Sequence, residues 1–220
     1  MTELRSLLRT TYRRSPFYGA LQPMAERERQ RAELLAWAAA GGPEGPSPHL
    51  LKQGLLRDAR KRTGARVLIE TGTYLGSMVE AMRTEFEHVI SIEVDRKLHE
   101  LAQHRFRGAS GITLLLGDSG TAIQEALQLA GRWPVVLWLD GHFSGGETGS
   151  GKSHCPVREE LALVLPRRTA DGILVDDAHL FGVDPAYPSL TELDGIIAAS
   201  GAIAPRELRH NVIGYFPRWS

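Results

Sequence analysis

Five short apolar runs, at 67–70, 89–93, 112–116, 135–139 and 173–175, start 22, 23, 23 and 38 residues apart. Gaps of that length do not suit hairpins; they leave room for the crossover helices that parallel strands need. Helical patterns fill them, over 77–86, 95–106, 119–130 and 157–165. The runs are apolar at nearly every position, as expected of strands covered on both faces. The spacing therefore predicts an α/β fold with a doubly wound, mostly parallel sheet. Beyond the fifth run a helix is expected near 189–199, then two strands near 203–208 and 212–216. The short connection between those two makes them an antiparallel pair and brings the total to seven strands.

The first 62 residues read differently. Leu4, Leu7 and Leu8 fit a helical stripe among Arg5, Arg9, Arg13 and Arg14, and 25–40 is rich in strong helix formers. The connector over 41–48, with Gly41, Gly42, Pro43, Gly45, Pro46 and Pro48, cannot continue a helix. Another helix is expected over 49–62, with Leu50, Leu51, Leu55 and Leu56 as its apolar side. Residues 1–48 are read as a helical extension, a lid or a dimerisation arm that would make the protein a homodimer. Residues 49–220 are read as the α/β domain.

Composition narrows the partners. Lys plus Arg is 26 and Asp plus Glu is 26, so the formal net charge is zero. A protein that binds nucleic acid by neutralising many phosphates would show a basic excess. No apolar run approaches the roughly 18 residues that span a membrane, and Met1-Thr-Glu-Leu-Arg-Ser6 lacks a signal peptide's apolar core. The one cysteine, Cys155, allows no internal disulfide, and no base stands beside it in sequence. The expectation is a soluble, cytoplasmic protein whose partner is a small molecule, with neither nucleic acid nor membrane involved.

In open α/β sheets ligands bind beyond the carboxyl ends of the strands. Each of the five runs delivers an acid there: Glu70, Glu93, Asp118, Asp140, and Asp176 with Asp177. One such acid is commonly a helix cap. Six on one edge suit a ligand with hydroxyls and positive charge, or a metal ion. The first turn, Glu70-Thr-Gly-Thr-Tyr-Leu-Gly76, places Gly72 for close backbone approach and Gly76 for tight packing of the next helix. Glu93 follows Gly72 by 21 residues, the spacing at which an acid accepts both hydroxyls of a ribose.

These elements resemble the class I S-adenosylmethionine-dependent methyltransferases. The matching stretches are Glu70–Gly76, Ser91-Ile-Glu93, Leu116-Gly-Asp-Ser119, Leu139-Asp-Gly-His142 and Leu174-Val-Asp-Asp177, in the family's order. The resemblance implies a Rossmann-like methyltransferase fold and S-adenosylmethionine as cofactor. Glu70 and Gly72 would lie by the methionine portion, Thr73, Tyr74 and Gly76 would also bind the cofactor, and Glu93 would hold the ribose. Asp118 and Ser119 would meet the adenine, and Asp140 would lie by the methionine portion and the reacting centre. Thr73 and Tyr74 stand where a second glycine is common in the family.

A narrower resemblance is to metal-dependent O-methyltransferases of the catechol and macrocin types. It implies a Mg²⁺ ion on Asp140, Asp176 and Asp177, since hard cations take oxygen ligands. Such an ion would acidify an acceptor hydroxyl. His142 and His179 each follow one of these acids by two residues, and either could take the hydroxyl proton. His142 is preferred because it directly follows Asp140-Gly141. The expected activity is methylation of a small-molecule hydroxyl, with the acceptor unspecified.

Two other functions compete. Gly146-Glu-Thr-Gly-Ser-Gly-Lys152-Ser153 matches the phosphate-loop pattern of ATPases. A phosphate loop, however, leaves its strand directly and enters a helix at the Lys-Ser pair. Here Asp140–Gly145 intervenes, and His154-Cys155-Pro156 precedes the helix. The loop 142–156 is better read as a cover over the substrate, with Lys152 and His154 as candidate contacts. The other competitor is a binding protein that keeps the fold without the chemistry. Phe143 and Tyr187 are candidates for a pocket wall, and Trp138 is read as core.

Overall fold

A computed structural model describes residues 18–42, 45–141, 155–169 and 171–219. The stripe from Leu4 to Arg14 and the segment 142–154, which holds His142, Phe143, Lys152, His154 and the phosphate-loop pattern, lie outside them. The chain divides into two compact units, Met1–Gly42 and Pro43–Ser220. In the first, helix α1 spans Tyr18–Ala39, beginning earlier than its content of helix formers marks.

The second unit opens with α2 (His49–Thr63), which starts after Pro48 and stops where Gly64 turns left-handed at φ 68°. There follow β1 (Val67–Thr71), α3 (Ser77–Met82), β2 (His88–Glu93), α4 (Arg96–Arg105), β3 (Ile112–Leu116) and α5 (Ser119–Ala130). Next come β4 (Val135–Leu139), α6 (Val157–Val164), β5 (Gly172–Val175) and α7 (Leu190–Ala199). The chain closes with β6 (Ala202–Ile203), β7 (Glu207–Arg209), β8 (Val212–Tyr215) and β9 (Arg218–Trp219). No helix among the described residues is long and apolar enough to cross a membrane.

The main sheet has seven strands in the order β3-β2-β1-β4-β5-β8-β7. The first five are parallel, and β8 enters antiparallel between β5 and β7. The expected strand over 203–208 splits in two. Its start, β6, pairs with β9 in a separate two-stranded sheet, and its end becomes β7. Pro205 lies between them and has no N–H to donate to a ladder. The helix expected to reach residue 86 stops at Met82. Phe86 kept the helical spacing, yet it is buried from the turn that follows.

Side chains alternate across the strands and fill two cores. Ile69, Ile92, Leu137, Leu139, Ile173 and Val175 point to one face, with Ile123 and Leu127 of α5 and Leu161 of α6 in the same cluster. Leu68, Val89, Val136, Trp138 and Leu174 point to the other, with Leu55 and Leu56 of α2 and Val79 of α3. Both faces are covered, which is why the strands carry no polar alternation. The chain reverses its order of winding at β1 and β4, the switch point where such sheets leave a crevice at the strand ends.

Candidate active site

Register places the strand-end acids side by side. Thr71 pairs with Ile92 on one side and Leu139 on the other, and Leu139 pairs with Val175. Glu70, Glu93, Asp140 and Asp176 therefore line one edge around the switch point.

The turn after β1 is held by its neighbours. Gly72 and Thr73 N–H groups both donate to the Ile92 carbonyl, at 2.9 and 3.2 Å. Gly72 has φ 86°, and a Cβ there would stand 2.5 Å from the Asp140 carbonyl oxygen. Only glycine fits, and the close approach fixes the β1 turn against the end of β4. Gly76 has φ 75°, and a Cβ there would stand 2.6 Å from the ring of Phe106, just after α4. The close contact at Gly76 is thus with the α4 end rather than with the strand. Tyr74 lies at φ 48°, with its side chain 45% exposed at the mouth.

Glu70 is 2% exposed. Ser91 Oγ donates to Glu70 Oε2, and Thr73 Oγ1 lies 2.7 Å from Ser91 Oγ, so a hydroxyl chain runs into the carboxylate. Burial, helped by the charges of Asp140 and Glu93, pushes Glu70 up to about 8 against the opposing Ser91 bond. Glu93, 4% exposed, is anchored differently: Oε2 accepts from the Tyr74 N–H at 2.7 Å and Oε1 from the Asp95 N–H at 2.9 Å. Each oxygen keeps a lone pair for a further donor.

Asp118 is the N-cap of α5, accepting from the Gly120 N–H at 3.0 Å. Ser119, buried beside it, and Thr71 both crowd Gly141, where a Cβ would stand 3.0 Å from each hydroxyl oxygen. Asp140 donates its N–H to the Thr71 carbonyl and Thr71 Oγ1. Its side chain is half-buried, within electrostatic reach of Glu70.

At the ends of β4 and β5 stands a residue that the strand pattern does not flag. Lys52, in the first turn of α2, donates from Nζ to Asp176 Oδ2, with Asp140 and Asp177 close enough to act on its charge. The ammonium lies 6.0 Å from the centre of the Trp138 ring. Burial disfavours its charge, but the three acids raise Lys52 above its ordinary value. Asp176 is raised by burial, against the pull of Lys52. The signal for Lys52 was present: 52, 55, 56 and 59 share one stripe, of which Leu55, Leu56 and Ala59 are buried. The face expected from Leu50 and Leu51 is rotated, and both are only half-buried.

A divalent ion on Asp140, Asp176 and Asp177 needs their oxygens free to converge. Asp176 gives Oδ2 to Lys52 and Oδ1 to the Asp177 N–H, at 2.8 Å for the latter. Asp177 turns its side chain toward Asn211, whose Nδ2 lies 3.4 Å from Oδ1. No group of three or more acids, histidines or cysteines placed to hold a metal occurs among the described residues. The arrangement does not fit Mg²⁺.

His179 is tied to Asn211. Its backbone N–H donates to Asn211 Oδ1 at 2.8 Å, an assignment that points Asn211 Nδ2 at His179 Nδ1, 2.9 Å away. Nδ1 then accepts, and the proton of the neutral ring sits on Nε2. Tyr187 is buried edge-on against Phe181, at 5.3 Å and 77°. Trp138 is core, as expected. Cys155 is buried and its thiol is pushed up to about 12, which leaves it inert.

Parallel strands with a glycine turn at the switch point, and one antiparallel strand inserted between the fifth and the last, define a Rossmann-like α/β protein. By sequence the chain matches no family model and no curated protein. Solved structures share its fold. The O-methyltransferase TomG of Streptomyces achromogenes, solved with S-adenosylmethionine, is 19% identical over 86% of each chain, with a TM-score of 0.53. CalS10, an amino pentose methyltransferase of Micromonospora echinaspora, is 18% identical over 83% of this chain and 96% of its own, with TM-score 0.53. A putative caffeoyl-CoA O-methyltransferase from Staphylococcus aureus is 10% identical over 98% and 100%, again with TM-score 0.53. The fold of this protein is that of the class I S-adenosylmethionine-dependent methyltransferases.

Proposed function

We propose that the protein is an S-adenosylmethionine-dependent methyltransferase that methylates an oxygen of a small molecule. The observation that carries the reading is the glycine cradle at Gly72, pressed against Asp140 and flanked by the buried Glu70 and Glu93. Glu93, with one lone pair left on each oxygen, would accept the two ribose hydroxyls. Glu70 and Asp140 would face the cationic methionine end, and Tyr74 at the mouth would cover it. Ser119 and Asp118 would border the adenine. Bound there, the cofactor supplies a methyl group whose carbon forms a bond to the acceptor oxygen as its bond to sulfur breaks, leaving S-adenosylhomocysteine.

The chain's own part is to hold the acceptor in line and to take its proton, and orientation alone accounts for much of such catalysis. Among the described residues Asp140 is the group proposed to receive the proton. His142 is the expected base within 142–154, and His179, with Nδ1 engaged by Asn211, is the weaker candidate. The phosphate-loop pattern lies outside the described residues, and a fold-only binding protein would share this cradle but transfer no methyl group. The test is transfer of a labelled methyl group from S-adenosylmethionine to a panel of phenols, sugars, polyketide alcohols and carboxylic acids. Label in an O-methyl product is the expected result, and label in none, with the protein folded, argues for the non-catalytic reading.

A further inference from the structure

Lys52 is placed where neither helix electrostatics nor burial favours it. It stands in the first turn of α2, which carries no acid, so its charge meets the positive end of the helix dipole. Its side chain is 15% exposed, and the Asp176 carboxylate it binds is 1% exposed. A buried pair of this kind is seldom a net source of stability, because desolvating both charges offsets their attraction. The pair nevertheless lies at the carboxyl ends of β4 and β5, with Asp140 and Asp177 around it. Three carboxylates act on the one ammonium. Of its three N–H donors one is committed, among the described residues, to Asp176.

We propose that Lys52 occupies the position a divalent cation would take between the ends of β4 and β5, and that its ammonium meets the acceptor oxygen. The inference rests on the methyltransferase reading and adds the acceptor's chemistry to it. A metal ion in this place binds an acceptor through two neighbouring oxygens as a chelate. An ammonium needs one lone pair. The acceptor is therefore engaged through a single oxygen, with no requirement for a vicinal diol. Asp176 is the positioning residue that holds the ammonium, and the Trp138 ring closes the space beneath it.

The test uses the full chain saturated with S-adenosylhomocysteine, with Mn²⁺ as a paramagnetic stand-in for Mg²⁺. Calorimetry with S-adenosylhomocysteine alone reports on the methyltransferase reading, whatever Mn²⁺ does. The free Mn²⁺ resonance is then followed up to about millimolar metal, the weak end of protein sites for hard divalent ions. Wild type is expected to bind none. Lys52→Ala and the longer Lys52→Gln, each checked for folding by circular dichroism, are expected to gain one site at least about tenfold tighter, which adding Asp176→Asn removes. Mn²⁺ binding by wild type that Asp176→Asn abolishes would overturn the proposal. So would a folded Lys52→Gln protein that binds none, since the acids would then not be arranged around a cation. If neither neutral variant folds, the wild-type arm decides: no Mn²⁺ bound and methyl transfer undiminished by EDTA support the proposal, and loss of transfer in EDTA overturns it.

Discussion

Glu70 and Glu93 stand on adjacent strands, and their surroundings prepare them for different work. Glu93 is gripped by two backbone amides and presents its remaining lone pairs. Charged hydrogen bonds to two hydroxyls, at about 1.5–3 kcal/mol each, should make Glu93→Ala lose at least about tenfold in S-adenosylhomocysteine affinity by calorimetry. Glu70 keeps a proton to about pH 8 because burial outweighs the Ser91 bond. The folded state then binds a proton that the unfolded state releases near 4.5, so stability falls as pH rises between those values. Urea unfolding of the ligand-free protein at pH 5 and pH 7.5 should show that fall, with a slope approaching about 1.4 kcal/mol per pH unit from this group. Glu70→Gln should flatten it; an unchanged slope would remove Glu70 as its source. Both acids could be read from sequence because residue type and position after an apolar run were enough. Lys52 was marked only by sharing the stripe of Leu55, Leu56 and Ala59, and a lysine on a charged helix reads as solvated until the sheet beneath that helix is known.

At the scale of elements, turns and caps do the positioning. Gly72→Ala puts a methyl group against the Asp140 carbonyl at a φ that L-residues avoid, and should cost more than about 2 kcal/mol in urea unfolding. Full stability in that variant would mean that the β1 and β4 ends are not pressed together. Asp118 caps α5, so Asp118→Ala should cost about 1 kcal/mol of stability. A variant as stable as wild type would leave Asp118 only its proposed place beside the adenine. The five parallel strands were legible because, covered on both faces, they are apolar throughout. The last strands were less so: period-two patterning cannot show that Pro205 divides one run between two sheets. The α2 face was misplaced for a related reason, since four leucines on two sides outweighed a stripe that begins with lysine.

Across the whole molecule, zero net charge conceals a sorted distribution. Acids gather at one edge of the sheet, where winding reverses and backbone approaches closest. Sequence spacing alone supplied the alternation of strands and helices, while the order β3-β2-β1-β4-β5-β8-β7 needed the structure. The same holds for the metal triad: three acids after two strands looked like a cation site, and only their partners show an ammonium among them. The central claim is that this edge binds S-adenosylmethionine. Its most direct test is isothermal titration of the purified protein with S-adenosylmethionine and with S-adenosylhomocysteine. Saturable binding of both at one site per chain, weakened at least about tenfold by Glu93→Ala, is the predicted result; no heat from either ligand with the folded wild-type protein would contradict it.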